Sequence, residues 1–231
     1  MANDYYQFKR FTVFQDRCAM KVGTDGTLLG AWADGGDRVL DIGTGTGLIA
    51  LMMAQRFPQA RIDAIDIDEE AVSQARENVA ATSFSDRIHV DRVALQEFSP
   101  SGKKLYDAIV CNPPFFENAL KNPDQRKANA RHADSLSFSA LLRSVYSLLD
   151  ADSGVFSVII PSEFRKRFDE EALFAGFFPY SVAAVKTTQR KPPKRYLLSY
   201  KHRPTGQPLE DVFVIGDEKY RLLVGDFYLS L

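Results

Sequence analysis

Asp41-Ile42-Gly43-Thr44-Gly45-Thr46-Gly47 is the stretch that decides the fold of this 231-residue chain. Upstream, Arg38-Val39-Leu40 is a short apolar run of strand character, and downstream Leu48-Ile49-Ala50-Leu51-Met52-Met53-Ala54 has helix length. The glycines therefore sit in a strand-to-helix turn. Glycine there permits positive φ and lets a ligand approach the backbone, while the N–H groups of the new helix favour an anion or carboxylate.

The dinucleotide fingerprint would be G-x-G-x-x-G, but here the third glycine falls one place early, at Gly47, and an acid stands two residues before the first. This D-x-G-x-G-x-G form resembles the first motif of class I S-adenosylmethionine-dependent methyltransferases. Further on, Arg61-Ile62-Asp63-Ala64-Ile65-Asp66 reads as a second strand. Asp66 stands at its carboxyl end, about 20 residues past the last glycine, where an acid grips a ribose. Asp68, just before Glu69-Glu70-Ala71-Val72, is the better helix N-cap.

The length fits one large α/β domain or a domain with short extensions. Hydrophobic residues at 45% and charged residues at 26% suit a globular chain, with no apolar run near the roughly 18 residues of a membrane span. No membrane role is expected. The first residues lack the layout of a secretory signal, and Cys18 and Cys111 give no disulfide framework, which predicts a cytoplasmic protein. A formal net charge of −1 argues against a general polyanion binder, yet Ala172 to Leu209 contains no acid and holds Lys186, Arg190, Lys191, Lys194, Arg195, Lys201 and Arg203.

Along the chain, Tyr5, Tyr6, Phe8, Phe11 and Phe14 alternate with Lys9 and Arg10. Such a mixture can stack on nucleobases, but it reads better as a half-buried strand or hairpin with its aromatic side in the core. A short helix is expected at Thr27 to Ala33 and a turn at Asp34 to Asp37. Helix Glu69 to Ala81, strand Ile88 to Val93 with His89 facing solvent, and strand Tyr106 to Cys111 follow. Residues 116 to 135 show no period; a connection of that length inside a domain is usually functional, and it carries Lys121, Arg126, Lys127, Arg131 and His132. Helix Phe138 to Leu149, buried strand Val155 to Ile160, and a helix from Ser162 to Ala175 with Ser-Glu capping character come next. The last strands expected are Ser181 to Val185 and Tyr196 to Tyr200. Alternating strands and helices imply a parallel sheet with right-handed crossovers.

The fourth strand would deliver Asn112-Pro113-Pro114-Phe115 to the same edge as Gly43 and Asp66. An exocyclic adenine amine is a weak nucleophile because its lone pair is conjugated into the ring. The Asn112 side-chain oxygen and the Pro113 carbonyl can each accept one N–H and favour a pyramidal nitrogen, while the prolines, Pro114 included, stiffen the turn. Phe115 can stack on a base taken out of its helix. An N-P-P turn can also simply end a strand; position favours chemistry, and the turn resembles the [DNS]-P-P-[YFW] motif of amino methyltransferases.

The run Phe11 to Trp32, F-T-V-F-Q-D-R-C-A-M-K-V-G-T-D-G-T-L-L-G-A-W, closely resembles the bacterial tRNA(Val) adenine-N6 methyltransferase family. The likeness continues through D-I-G-T-G-T-G, N-P-P-F, Ala130-Arg131-His132, Lys191-Pro192-Pro193-Lys194-Arg195 and Asp226-Phe227-Tyr228-Leu229. The resemblance implies methylation of adenine N6 immediately 3′ of the anticodon of a valine tRNA, with S-adenosylmethionine as cofactor, tRNA as partner, no metal and a monomer. It implies an α/β, Rossmann-like class I methyltransferase fold with a seven-stranded, mostly parallel sheet and an antiparallel last strand, for which Tyr196 to Tyr200 is the candidate. Residues 1–36 would form a short hairpin or helix extension packed on a catalytic domain at 37–231.

By the same resemblance Gly43 and Gly45 line the cofactor's methionine end and Asp66 its ribose, Asp41, Gly47, Ile67 and Asn112 also bind the cofactor, and Asn112 to Phe115 meet the target base. Lys121, Arg126, Lys127, Arg131, Arg190, Lys191, Lys194 and Arg195 would meet tRNA phosphates. One departure is visible: where such enzymes often place an acid beside the cofactor's adenine, this chain has Ala94, whose backbone N–H could still serve. Competing readings are a methyltransferase acting on rRNA, a glutamine-amide N5 protein methyltransferase, and a non-catalytic binding module. The protein-modifying enzymes usually carry an N-terminal helical domain, whereas 37 residues precede the first sheet strand here.

Overall fold

A computed structural model describes residues 3–18, 20–100, 105–113 and 136–230. Strands β1 (Tyr5–Gln7) and β2 (Thr12–Phe14) form an antiparallel hairpin, followed by α1 (Thr24–Trp32). Then come β3 (Arg38–Ile42), α2 (Leu48–Arg56), β4 (Arg61–Asp66), α3 (Glu69–Ala80), β5 (Ile88–Arg92) and β6 (Ala108–Cys111). The chain continues with α4 (Phe138–Leu148), β7 (Val155–Pro161), a 3-10 turn (Ser162–Phe164), α5 (Arg165–Phe174), β8 (Phe178–Lys186), β9 (Arg195–Lys201), β10 (Leu209–Val214) and α6 (Glu218–Val224). No described helix is long and apolar enough to cross a membrane.

The eight strands from β3 to β10 lie in one sheet in the order β10-β8-β9-β7-β6-β3-β4-β5. All neighbours are parallel except those of β9, which runs against both β7 and β8. The Tyr196–Tyr200 segment is thus the reversed strand expected from the sequence. The sheet goes one strand beyond the seven read there: β10 adds to the β8 edge, with Leu209 opposite Ser181 and Val214 opposite Lys186. Its sequence, LEDVFV, is mostly exposed except at Phe213 and Val214, so it carries neither the apolar run nor the clean alternation that announces a strand.

Both faces of the sheet are covered, which is why its inner strands read as continuous apolar runs. Along β3, Val39 joins one core while Leu40 and Ile42 join the other; along β6, Ala108 and Val110 part from Ile109 and Cys111 in the same way. The first core takes residues of α1, α2, α3 and α6, and the second Leu141, Leu142 and Val145 of α4 with Phe168 and Ala172 of α5. Leu48 to Ala54 of α2 are all buried because α2 packs both on the sheet and against α1, which lies beside it. Contact there is close: a Cβ on Gly30 of α1 would stand 2.8 Å from Met52 Sδ.

The amino-terminal residues share this core, with Phe8, Phe11 and Val13 buried in it and Tyr5 and Phe14 turned outward. The hairpin reading of the aromatic run holds. A backbone bond from Lys9 N–H to Phe227 C=O at 2.8 Å ties the hairpin to the carboxyl-terminal segment. Elsewhere boundaries moved slightly. His89 is exposed, as expected. The segment from Ser162 opens as a 3-10 turn with no side-chain capping bond, where a Ser-capped helix start was expected.

Candidate active site

Gly43, Gly45 and Gly47 all have positive φ, +69°, +55° and +82°, in the left-handed region that costs L-residues most. A Cβ on Gly43 or Gly45 would meet nothing within 4 Å, so conformation and an open crevice, not crowding, explain glycine at these two places. The loop is pinned to the end of β4: Gly43 and Thr44 N–H both donate to Ile65 C=O, at 2.9 and 3.0 Å. Gly45 N–H donates to Asp66 Oδ2 at 2.9 Å.

Asp41 lies beneath the loop, fully buried, and Oδ2 accepts from Thr44 Oγ1 at 2.6 Å and from Ala50 N–H at 3.1 Å. The first-turn N–H of α2 expected to greet an anionic guest is therefore taken by a carboxylate of the chain itself. Burial pushes Asp41 up to about 7; the Thr44 and Ala50 bonds oppose that rise and the charge of Asp66 adds to it. Its Oδ1 is buried with no partner among the described residues, so negative charge under the loop is incompletely compensated and a cation in the crevice would offset it.

Asp66 is half-buried at the carboxyl end of β4, and its Oδ1 accepts from Asp68 N–H at 3.0 Å. Asp68 is the N-cap of α3, Oδ1 accepting from Ala71 N–H at 3.0 Å, the structural role expected of it from the sequence. Ile67 is 57% exposed, an apolar side chain held beside the crevice. Val93 N–H donates to Asp66 C=O at 3.0 Å, bringing the half-buried Ala94 alongside.

Register brings Asn112 to the same edge. Ile42 pairs with Cys111 and with Ile65, so Gly43, Asp66 and Asn112 each follow a strand end on neighbouring strands. Asn112 is half-buried and Pro113 buried; Pro114 and Phe115 lie outside the described residues. The Asn112 Nδ2 donates to Met20 Sδ at 3.9 Å. A thioether only accepts, so Met20 fixes which end of the amide faces it and leaves Oδ1 as the acceptor for a substrate amine.

Met20 belongs to a strap, Phe14 to Val22, whose role the sequence reading missed. Fully buried Asn78 of α3 accepts from Phe14 N–H and donates to Phe14 C=O and to Thr46 C=O, each at 2.9 Å. Gln74 accepts from Arg17 N–H at 3.2 Å. The strap is thus bonded to the glycine loop through one amide. Cys18 of the strap is pushed up to about 11, chiefly by burial and then by the charges of Asp66 and Asp68, which it faces. The available signal was polar Gln74 and Asn78 interleaved with Ala71, Ala75 and Val79 on the apolar face of α3.

The basic residues divide. Because β9 runs backwards, Lys186 and Arg195 lie at the edge that carries Asn112, while Lys201 and Arg203 fall at the opposite edge. There Lys201 sits over the Tyr180 ring and Arg203 pairs with Asp152 at 2.7 Å. Arg190, Lys191 and Lys194 are exposed on the β8–β9 turn, and Arg195 is half-buried, its Nε donating to Asp25 of α1 at 2.8 Å. Lys121, Arg126, Lys127, Arg131 and His132 lie outside the described residues.

Comparisons with known proteins agree with this geometry. A family model described as the methyltransferase small domain matches residues 25–135. A curated relative from Parabacteroides distasonis, a tRNA1(Val) (adenine(37)-N6)-methyltransferase, is 45% identical over 239 residues, covering 100% of both chains. The solved structure of a predicted O-methyltransferase from Agrobacterium tumefaciens is similar at TM-score 0.65 and 16% identity, covering 88% of this chain and 96% of that one. The glycopeptide N-methyltransferase MtfA, complexed with S-adenosyl-L-methionine, is similar at TM-score 0.57 and 12% identity, covering 80% and 90%. These two likenesses show the shared fold.

Proposed function

The chain belongs to the tRNA1(Val) (adenine(37)-N6)-methyltransferase family, and from that premise we propose that it methylates N6 of adenine 37 in a valine tRNA, using S-adenosylmethionine. The observation that carries this reading is the meeting of the glycine loop, Asp66 and Asn112-Pro113 at one sheet edge. The residues fit the cofactor. Open space above Gly43 and Gly45, the unpartnered oxygen of buried Asp41 and the exposed Ile67 suit a ligand that has a cationic methionine end and an apolar base.

S-adenosylmethionine supplies an electrophilic methyl group when bound. Asp66 would hold the ribose hydroxyls, since each of its oxygens accepts one backbone N–H and keeps further lone-pair capacity. Ile67 would offer the cofactor's adenine an apolar side chain, and the Ala94 backbone N–H would serve its edge. On the substrate side, Asn112 Oδ1 and Pro113 C=O each accept one N–H of the target amine and turn its lone pair out of conjugation. By the family's motif Phe115 would stack on the ring and Pro114 would stiffen the turn. No general base is needed, because the methylated nitrogen is strongly acidic and releases its proton to water.

Arg190, Lys191, Lys194 and Arg195, with Lys121, Arg126, Lys127 and Arg131, meet tRNA phosphates. Residues 1–36 act as an extension packed on the catalytic domain at 37–231. The protein works as a monomer in the cytoplasm and needs no metal. Nucleoside analysis of tRNA from cells with and without the protein tests the reading: N6-methyladenosine should vanish from valine tRNA in its absence. Radiolabelled methyl appearing in protein or rRNA, with tRNA unlabelled, would overturn it.

A further inference from the structure

Beside the cofactor crevice lies a groove of 510 Å3 that neither the cofactor nor the target base explains. Ser162, Arg165, Lys166, Asp169, Glu170, Pro192, Pro193 and Tyr196 line it. Its size falls within the roughly 300–1,000 Å3 of small-molecule sites. It is on the catalytic edge: Pro161 at the end of β7 is paired with Arg195, and Ser162 N–H donates to Lys194 C=O at 3.1 Å. Because Cys111 registers with Val158, Asn112 is level with Ile159, and Ser162 stands three residues further along, about 10 Å at strand spacing. A nucleotide next to the target adenine can span that distance.

The groove's chemistry favours a base over a phosphate. The Arg165 guanidinium lies 4.2 Å from the centre of the Tyr196 ring, a flat cation backed by an aromatic plane. Arg165 Nε is held by Asp169, itself in the lining, at 3.4 Å, and Asp169 in turn accepts from Tyr200 Oη at 2.5 Å, so the plane is held in place. These acids also balance charge: Arg165 faces Asp169, and Lys166 lies 3.9 Å from Glu170. Among the described residues, Arg190, Lys191 and Lys194, exposed on the turn that carries Pro192 and Pro193, have no ion-pair partner and put positive charge at the rim. A neutral stacking surface beside a basic rim matches a nucleobase inside and its phosphates outside.

We infer that this groove receives an unpaired nucleobase adjoining the target adenine, stacked on the Arg165–Tyr196 pair; the inference rests on the tRNA-methylating reading above. The test uses the anticodon stem–loop of valine tRNA, intact or made abasic at either neighbour of the target adenine. On intact RNA, Arg165→Gln and Tyr196→Leu should each raise KM about tenfold, with kcat and cofactor affinity close to wild type, while Tyr196→Phe keeps the ring and the wild-type KM. On RNA abasic at the neighbour that uses the groove, the wild type should already show the raised KM, and the variants should add nothing. Equal losses on intact and abasic RNA, or no loss on either, would overturn the proposal. Arg165→Gln, at a side chain one-third exposed, carries the test if Tyr196→Leu fails to fold. A wild type that leaves the intact stem–loop and whole tRNA unmethylated instead overturns the underlying reading, whatever the variants do.

Discussion

Replacing Asp66 tests the cofactor site where its geometry is most specific. Asp66 Oδ2 accepts the Gly45 N–H at 2.9 Å and Oδ1 the Asp68 N–H at 3.0 Å. Each oxygen retains a lone pair for one hydroxyl of the ribose. Asp66→Ala removes both ligand contacts and also frees the Gly45 N–H that shapes the loop. A hydrogen bond to a charged group is worth about 1.5–3 kcal/mol, so losing even one of the two weakens cofactor binding by roughly 10- to 150-fold. Asp66→Asn keeps one acceptor oxygen for two demands and should fall between wild type and Asp66→Ala. The control is Asp68→Ala. It deletes the cap to Ala71 N–H and should cost about 1 kcal/mol of stability, yet Asp66 receives only the backbone N–H of residue 68, which alanine retains. Calorimetric titration with S-adenosylmethionine, beside thermal melts, separates the two. Unchanged affinity in Asp66→Ala, or an equal loss in Asp68→Ala, would refute the assignment.

Asn112→Ala should lower kcat by about 10²-fold or more with KM little changed, because its carbonyl aligns the amine chiefly as the transition state forms; steady-state kinetics with near-normal kcat would make the turn structural. Replacing Arg190, Lys191 and Lys194 with Ala should weaken tRNA binding and flatten its salt dependence, each lost phosphate contact lowering the slope by about 0.7 to 1. Adding Arg195→Ala should also lower the melting temperature, since it breaks the pair with Asp25; an unchanged salt slope in the triple variant counts against the RNA surface. Asp41 sets a pH dependence. Folding pushes its carboxyl up to about 7, so between the ordinary aspartate value and that point the folded chain holds a proton the unfolded chain has released. Stability contributed by this group therefore falls as pH rises from about 4 to about 7 and is level above. Asp41→Asn should remove that decline, as followed by urea midpoints; curves that stay parallel to wild type would show that Asp41 does not titrate in this range.

Much of the site was legible because its signals are local. Positive φ at Gly43, Gly45 and Gly47 is needed by the turn itself, Asp68 caps the residues that follow it, and Asn112-Pro113 ends the strand that precedes it. Strand β10 was not legible, because its exposed edge imposes little pattern on LEDVFV. Nor was the part played by Gln74 and Asn78, which look like ordinary polar interruptions of α3 until the strap lies across them.

By itself, then, the sequence determined the strand–turn–helix around Gly43, Asp68 as the cap of α3 and the alternation that makes a covered parallel sheet. These follow from φ preferences, capping and periodicity, which act between neighbours in the chain. Only the tertiary structure decided that Met20 would orient Asn112, that Asp25 would hold Arg195, and that Asn78 would join the strap to the glycine loop, contacts 92, 170 and 64 residues apart. It also decided that the acid-free stretch is not one surface, because the reversal of β9 sends Arg195 to the catalytic edge and Lys201 to the other. Such pairings depend on strand order and direction, which are set by how both faces of the whole sheet are buried and not by the residues adjoining each partner.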